Sequence, residues 1–296
     1  MNRKDALIGA LVADAAAMGL HWMYDQDQVA AVAKTGDVLF RQPDAQTYKD
    51  KRGYFAHGVK RSGELSHYGE SARVVGQLTA QNDYSTEQHR IDFFESFGPC
   101  GNYCGYADKP TKVLLAKMLV EEGDISEPSG MDDNQMPALC VVPGIFASSQ
   151  GVDVAEMAAK VISINADVIE SVKAVYQCLE DINDGLSLSK ALATAAESTE
   201  GPVGKLMQDA LVADFNDMRE TAKSFGLACY IEHAMPVVWY ILNNSTDFES
   251  AIRNNILCGG DSCGRSMALG AIAGLVFGVP EHLIERMEDK RVPINF

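Results

Sequence analysis

The chain has 296 residues and a mass of 32.0 kDa, with 47% hydrophobic and 22% charged residues, which excludes a disordered polypeptide and leaves enough chain to bury a large core. A formal charge of −16 and a pI near 4.7 set most of the surface against nucleic acid and anionic membranes, although a helix start or a few local bases still suffice for a phosphate-bearing ligand. The seven cysteines are an odd number whose only close neighbours are Cys100 with Cys104 and Cys258 with Cys263, so reduced thiols and a cytoplasmic setting are expected rather than a disulfide framework.

The first predicted element is an apolar helix from Ala6 to Gly19 in which Asp14 is the only charge. Gly9, Ala13 and Ala17 recur at four-residue spacing and put a small-residue stripe on one face. Asp14 interrupts the apolar run and no small-residue cleavage site follows, so a secretion signal is not expected. His21, Trp22 and Tyr24 come next as candidates to wall a pocket or to serve the core. Residues 35–61, rich in Lys, Asp, Gln, Tyr and Gly, read as one long irregular stretch. Loops of that length are uncommon and often functional, which leaves a lid, a dimer element and a plain solvated insertion open.

Tyr68-Gly-Glu70-Ser71 then leads into a helical run over residues 72–80. Caps at Ser85, Pro110, Asp247 and Pro280 mark later helix starts. Between the first two lies the loop from Gly98 to Asp108, where glycines permit close backbone approach and Tyr103 or Tyr106 can stack on a flat ring. Apolar residues at three- and four-residue spacing predict helices over Val154–Ile162, Val168–Leu179, Leu206–Phe215 and Phe225–Leu242. Strand-like alternation is almost absent. The fold class is therefore all-α, a single multi-helix domain over residues 1–296 with about a dozen helices. The late apolar stretch Ser266–Val279 is shorter than the ~20 residues needed to span a bilayer and reads as a core helix.

The stretch from Cys258 to Gly278 carries the strongest signal. Gly259 and Gly260 permit backbone angles closed to other residues, and Asp261 or Ser262 is placed to cap the helix that follows. Gly270, Gly274 and Gly278 share one face, so this helix is expected to pack against the first one. Cys263, at the helix start, is expected to have a lowered thiol pKa.

The early helix reads Gly9-Ala-Leu-Val-Ala-Asp14-Ala-Ala-Ala-Met-Gly19, and the late motif reads Gly259-Gly-Asp261-Ser-Cys-Gly264. Together they resemble the ADP-ribosylglycohydrolase superfamily, whose members begin with a Gly-Ala-x-x-Gly-Asp-Ala-x-Gly helix and end with Gly-Gly-Asp-Thr-Asp-Thr before a Gly/Ala-rich helix. The His21-Trp22-x-Tyr24-Asp25 continuation is most similar to the branch of the J-crystallins and J-type selenoproteins. The resemblance runs end to end and implies a compact multi-helix ADP-ribosylglycohydrolase-like fold. It also implies a small-molecule or protein-linked ADP-ribosyl substrate and two Mg²⁺ ions held by an early Thr-Asp-Asp-Thr and the late Asp-Thr-Asp-Thr. Here Tyr68, Gly69, Glu70 and Ser71 stand at the early motif, while Cys263 and Gly264 replace a ligand Asp and a Thr in the late one. The carboxylates left for metal are Glu70 and Asp261, enough for at most one ion completed by water.

On this reading Glu70, Asp261 and Cys263 are the candidate catalytic residues, and Asp14, His21, Tyr68, Ser71, Tyr103, Tyr106, Asn134, Gly260 and Ser262 the candidate ligand contacts. Hydrolysis of an N- or O-ribosyl bond through an oxocarbenium-like state is the leading expectation, with the carboxylates set against His67 or His21. A non-catalytic, crystallin-like or regulatory member and a thiol enzyme centred on Cys263 are the alternatives. Oligomerisation is left open.

Overall fold

Helix α1 (Lys4–Ala17) runs through the middle of the protein because it has no polar face to offer water. Every side chain from Ala6 to Ala17 is buried in the computed structural model, which describes residues 1–81, 83–121, 125–213 and 217–289. The remaining helices are α2 (Gln26–Thr35), α3 (Ala45–Tyr48), α4 (His67–Gln81), α5 (Thr86–Phe97), α6 (Lys109–Val120), α7 (Val142–Ala147), α8 (Val152–Ala159) and α9 (Ala166–Asn183), then α10 (Leu188–Ser198), α11 (Gly201–Leu211), α12 (Met218–Phe225), α13 (Ile231–Asn243), α14 (Phe248–Leu257), α15 (Ser262–Phe277) and α16 (Glu281–Ile284). The architecture is all-α. Among the described residues there is no β-strand, only isolated β-bridges.

The partner of α1 is α15, as the small-residue stripe of the first helix and the glycine stripe of the second anticipate. A Cβ built on Gly9 would lie 2.3 Å from the carbonyl oxygen of Gly270, and one on Gly274 would lie 2.3 Å from that of Asp5. Backbone therefore touches backbone along the seam, and only glycine fits at these crossings. Around this pair α4 and α7 pack on one side and α14 on another, and the buried apolar residues form one continuous cluster.

Local signals explain many of the helix starts. Asp25, Ser85, Asp108, Asn165, Asp217, Asp247 and Asp261 each accept a backbone N–H of the helix they precede. The structure departs from the sequence expectation over several spans. The span 225–242 is not one helix: the chain breaks after Phe225 at Gly226, whose φ is 110°, and resumes as α13. Helices α2, α10 and α12 form on spans where the sequence pattern predicts none, and α3 interrupts the long stretch 35–61. The span expected from Leu206 to Phe215 ends as a helix at Leu211, and its last two residues lie outside the described ones. No helix among the described residues is long and apolar enough to cross a membrane. All seven cysteines are free thiols.

Candidate active site

The site is built where the segments after α1 and before α15 are sewn together by backbone. Gly259 and Gly260 take φ values of 74° and 73°, and a Cβ on Gly260 would sit 2.1 Å from the Leu227 carbonyl oxygen. The bend lets the Gly260 N–H donate to the Met23 carbonyl (2.7 Å) and its own carbonyl accept from the Trp22 N–H (2.8 Å). Trp22 is itself held in the left-handed region at φ 61°, and its carbonyl accepts from the Tyr54 N–H at 3.0 Å. A bulky residue in that conformation persists only when its surroundings impose it. The long segment 35–61 is thereby tied onto the site.

Asp261 caps α15 and ends a buried chain of hydrogen bonds. Its Oδ1 accepts from the Gly264 N–H (3.0 Å) and pairs with His21 Nε2 (2.8 Å), and its Oδ2 accepts from the Tyr68 hydroxyl (2.9 Å). His21 Nδ1 lies 2.7 Å from His57 Nε2. Burial alone would raise the Asp261 carboxyl, but His21, the Gly264 N–H and Arg265 outweigh it and hold the group below its ordinary value. Burial pushes the Tyr68 hydroxyl well up and, with the charges of neighbouring histidines and Lys60, pulls His57 well down. With Asp261 ionised, His21 Nε2 donates to it. With one proton on each ring, His57 Nε2 donates to His21 Nδ1, and His57 Nδ1 carries a free lone pair. That nitrogen is enclosed and has no hydrogen-bond partner.

Rings crowd around the chain. His67 lies 6.2 Å from His57 and 6.0 Å from His21 between ring centres, Trp22 is 4.2 Å from His21, and Tyr106 meets Trp22 edge-on at 5.0 Å. Half-exposed Tyr54 packs on both Trp22 and Tyr106 and forms the outer layer. Lys112 stands over Tyr106 and Lys60 over Tyr103.

Of the residues expected from sequence, His21, Tyr68, Asp261 and Tyr106 are brought together here. Ser71 and Ser262 are buried, each with an unpartnered hydroxyl, and Gly260 forms the bend. Tyr103 packs instead against Phe97, donating to the Tyr106 carbonyl at 3.1 Å. Asn134 lies at the start of α13, where its carbonyl accepts from the Ile231 N–H at 2.8 Å. Asp14 accepts from the Ser66 N–H (2.8 Å) and hydroxyl (2.5 Å), and burial pushes its carboxyl up to about 6. A Cβ on Gly69 would lie 2.2 Å from Asp14 Oδ2, so residue 69 has no room for the aspartate of the early motif.

Two candidate roles need revision. Glu70 turns towards α5: Arg73 Nη2 donates to Oε1 (2.6 Å), Arg73 Nε to Oε2 (3.0 Å), and the Ser96 hydroxyl to Oε1 (2.5 Å). A guanidinium across both carboxylate oxygens supplies the positive charge that a divalent ion would bring. Both oxygens of Asp261 are likewise engaged, and among the described residues no group of three His, Cys, Asp or Glu is arranged to hold a metal. Glu70 and Asp261 therefore do not fit the Mg²⁺ site that the motifs suggest. Cys263 is buried with its Sγ 3.6 Å from the Asp14 carbonyl oxygen, and burial together with the Asp14 and Asp261 charges pushes its thiol well up rather than down. Ellman's reagent added to the native protein should label exposed Cys100 and Cys104 quickly and leave Cys263 untouched until unfolding. Rapid native labelling of Cys263 in a tryptic map would reverse this correction.

His57, Tyr54 and Asp108, whose Oδ2 lies 3.5 Å from His67 Nε2, join the cluster without a signal in the sequence. Three of the chain's six histidines meet in this cluster from separate segments, and no local spacing announces that.

Comparison with known proteins joins this geometry to a lineage. The ADP-ribosylglycohydrolase family profile matches residues 3–294. The chain belongs to the ADP-ribosylglycohydrolase family. A relative named Crystallin J1A from Tripedalia cystophora is 22% identical over 312 residues, covering 96% of this chain and 91% of that protein. A solved structure described as an ADP-ribosylglycohydrolase-related protein complex superposes with a TM-score of 0.70 at 11% identity, covering 97% of this chain and 93% of the other, a likeness of fold. In this chain Asp261 is followed by Ser262, Cys263 and Gly264, and the rings of His57 and His67 lie 5.0 and 6.0 Å from that of His21.

Proposed function

We propose that this family member hydrolyses an ADP-ribosyl or related N- or O-ribosyl bond, with His57 as the base that takes a proton from water. The observation that supports this reading is the buried chain Asp261–His21–His57, joined by contacts of 2.8 and 2.7 Å and ending at an unpartnered Nδ1. A proton arriving at His57 Nδ1 releases the Nε2 proton to His21 Nδ1, so the positive charge comes to rest on His21 beside the Asp261 carboxylate. The geometry of an orienting carboxylate behind an imidazole is one that enzymes of unrelated folds use for general-base chemistry. Tyr68 fixes the far oxygen of Asp261 and keeps the chain in line. The ribosyl carbon then receives the water oxygen as its bond to the leaving group breaks, through an oxocarbenium-like state.

The test is release of ADP-ribose from N- and O-linked ADP-ribosyl peptides, followed by mass spectrometry in buffer containing EDTA. Turnover should persist in chelator and fall at least about 100-fold in His57→Gln, the usual contribution of a general base. Turnover that requires Mg²⁺, or a His57→Gln protein as active as the parent, would refute the His57 assignment.

A second reading, a non-catalytic crystallin-like or regulatory member, draws on the Arg73 lock on Glu70 and on the substitution of Cys263 and Gly264 into the late motif. It predicts no release from any of these peptides.

A further inference from the structure

Beside the Asp261–His21–His57 chain lies a third buried histidine with nothing yet to do. His67 opens α4 with both ring nitrogens enclosed and without hydrogen-bond partners, and its Nε2 lies 3.5 Å from Asp108 Oδ2. Asp108 is buried too, and its other oxygen caps α6 by accepting the Thr111 N–H at 2.8 Å. The indole N–H of Trp22 and Nδ1 of His57 are also enclosed and unpartnered. Each such atom costs about 1–3 kcal/mol in a folded protein, and interiors normally avoid them. With Nε2 of His67 facing Asp108, three of them are left on three neighbouring rings, His57, His67 and Trp22, and mark a place made for a polar reactant rather than a packed core.

We propose that His67, backed by Asp108, delivers the proton that the leaving group needs. The proposal rests on the hydrolase reading above. As the ribosyl carbon–heteroatom bond breaks, its electron pair stays on the leaving atom, which takes the proton from His67 Nδ1. His67 Nε2 is refilled from the Asp108 carboxyl, which becomes a carboxylate. Water loses its proton to His57 Nδ1 and its oxygen bonds to the ribosyl carbon. The net change is addition of water across the bond and transfer of one proton from Asp108 to His21, which solvent reverses before the next turnover. His67 touches the leaving atom; Asp108 acts through it.

The protonation states suit the two parts. Burial pushes Asp108 up to about 6, so part of it holds a proton near neutrality, while burial above all, with the Lys112 and Lys60 charges, brings His67 down to about 3, so the ring carries one proton and bridges. Asp108 feels His67 from α4, Asp133 and Cys140 from the segment before α7, Cys229 from the turn before α13, and Lys112 from its own helix. The phenols of Tyr68, Tyr103 and Tyr106 near it are all raised and stay neutral. Since Asp108 must be protonated to act, the rate falls as pH rises through its value near 6.

Two readouts test this on the full chain. The ¹⁵N shifts of the His67 ring, followed from about pH 5 to 8, should move with a midpoint near 6 in the parent and lose that movement in Asp108→Asn, whose amide oxygen still caps α6. His67 nitrogens that stay flat in the parent overturn the pairing, whether or not the protein is a hydrolase. In turnover, Asp108→Asn should lose about 100-fold or more on substrates with alkylamine or alcohol leaving groups and about tenfold or less on a nitrophenyl leaving group, which departs without a proton. His57→Gln should lose on both. Equal loss of Asp108→Asn on the two substrate types, or no loss on either, overturns the assignment of the acid. A parent protein that cleaves neither type removes the hydrolase reading and this step with it, while the ring shifts still report the His67–Asp108 pairing on their own.

Discussion

Asp261→Asn is expected to lower kcat for ribosyl hydrolysis by roughly 10³–10⁴-fold with little change in KM, the size of effect seen when the carboxylate behind a catalytic imidazole is made neutral. The asparagine oxygen can still accept from the Gly264 N–H and from His21, so the cap of α15 survives. What is lost is the negative charge beside His21 where the incoming proton settles. Steady-state kinetics on the variant, with circular dichroism to show that it is folded, decides the matter. A loss below about threefold would mean that Asp261 serves only as a cap, and the relay would fall with it.

Gly9→Val is the second change expected to have a large effect, this time on stability. Its new Cβ would stand 2.3 Å from the Gly270 carbonyl oxygen and 2.9 Å from Gly274 Cα, and both are backbone atoms that cannot swing aside. The α1–α15 seam would have to open along its length. A cost of about 3 kcal/mol or more follows, at the upper end of overpacking effects. For a chain of this size that corresponds to a Tm lower by roughly 6–12 °C. Gly36→Ala is the matched control: its nearest neighbour is a side-chain atom of Arg41 at 3.7 Å, so it should shift stability by no more than about 0.5 kcal/mol. Calorimetry on the two variants gives the comparison, and a Gly9→Val protein as stable as the control would mean that the helices are not held by this contact.

The seam was legible in the sequence because it obeys a period. Small residues four apart in both helices, Gly9, Ala13 and Ala17 in α1 and Gly270 and Gly274 in α15, announce a close crossing wherever the partner lies. The double glycine before Asp261 was legible for a related reason, since its positive φ angles and its cap are local properties. The active-site chain was only half legible. His21, Tyr68 and Asp261 sit in or beside motifs, but His57 lies in an irregular segment 36 residues from its partner, where no periodicity leads to it. Asp108 read only as the end of a glycine-rich loop.

The two revised roles failed for different reasons. Arg73 stands three residues after Glu70 on the same helix face, so the ion pair that occupies Glu70 was there to be read from spacing alone. For Cys263 two physical effects compete. A helix start lowers a thiol pKa, but burial beside Asp14 and Asp261 raises it, and only the folded structure shows that burial wins.

The meeting of α1 with α15 also decides when the protein becomes itself. His21 and Asp261 are 240 residues apart, so the ribosome must add that much chain after His21 before the two can touch. Until then α1, apolar over most of its surface, stays open to water and to other chains without its permanent neighbour. Contacts of such long range form slowly and leave apolar surface open to wrong partners in the meantime. During synthesis this chain should depend on chaperones that shield its first helix, and a product stopped before α15 would be both inactive and sticky.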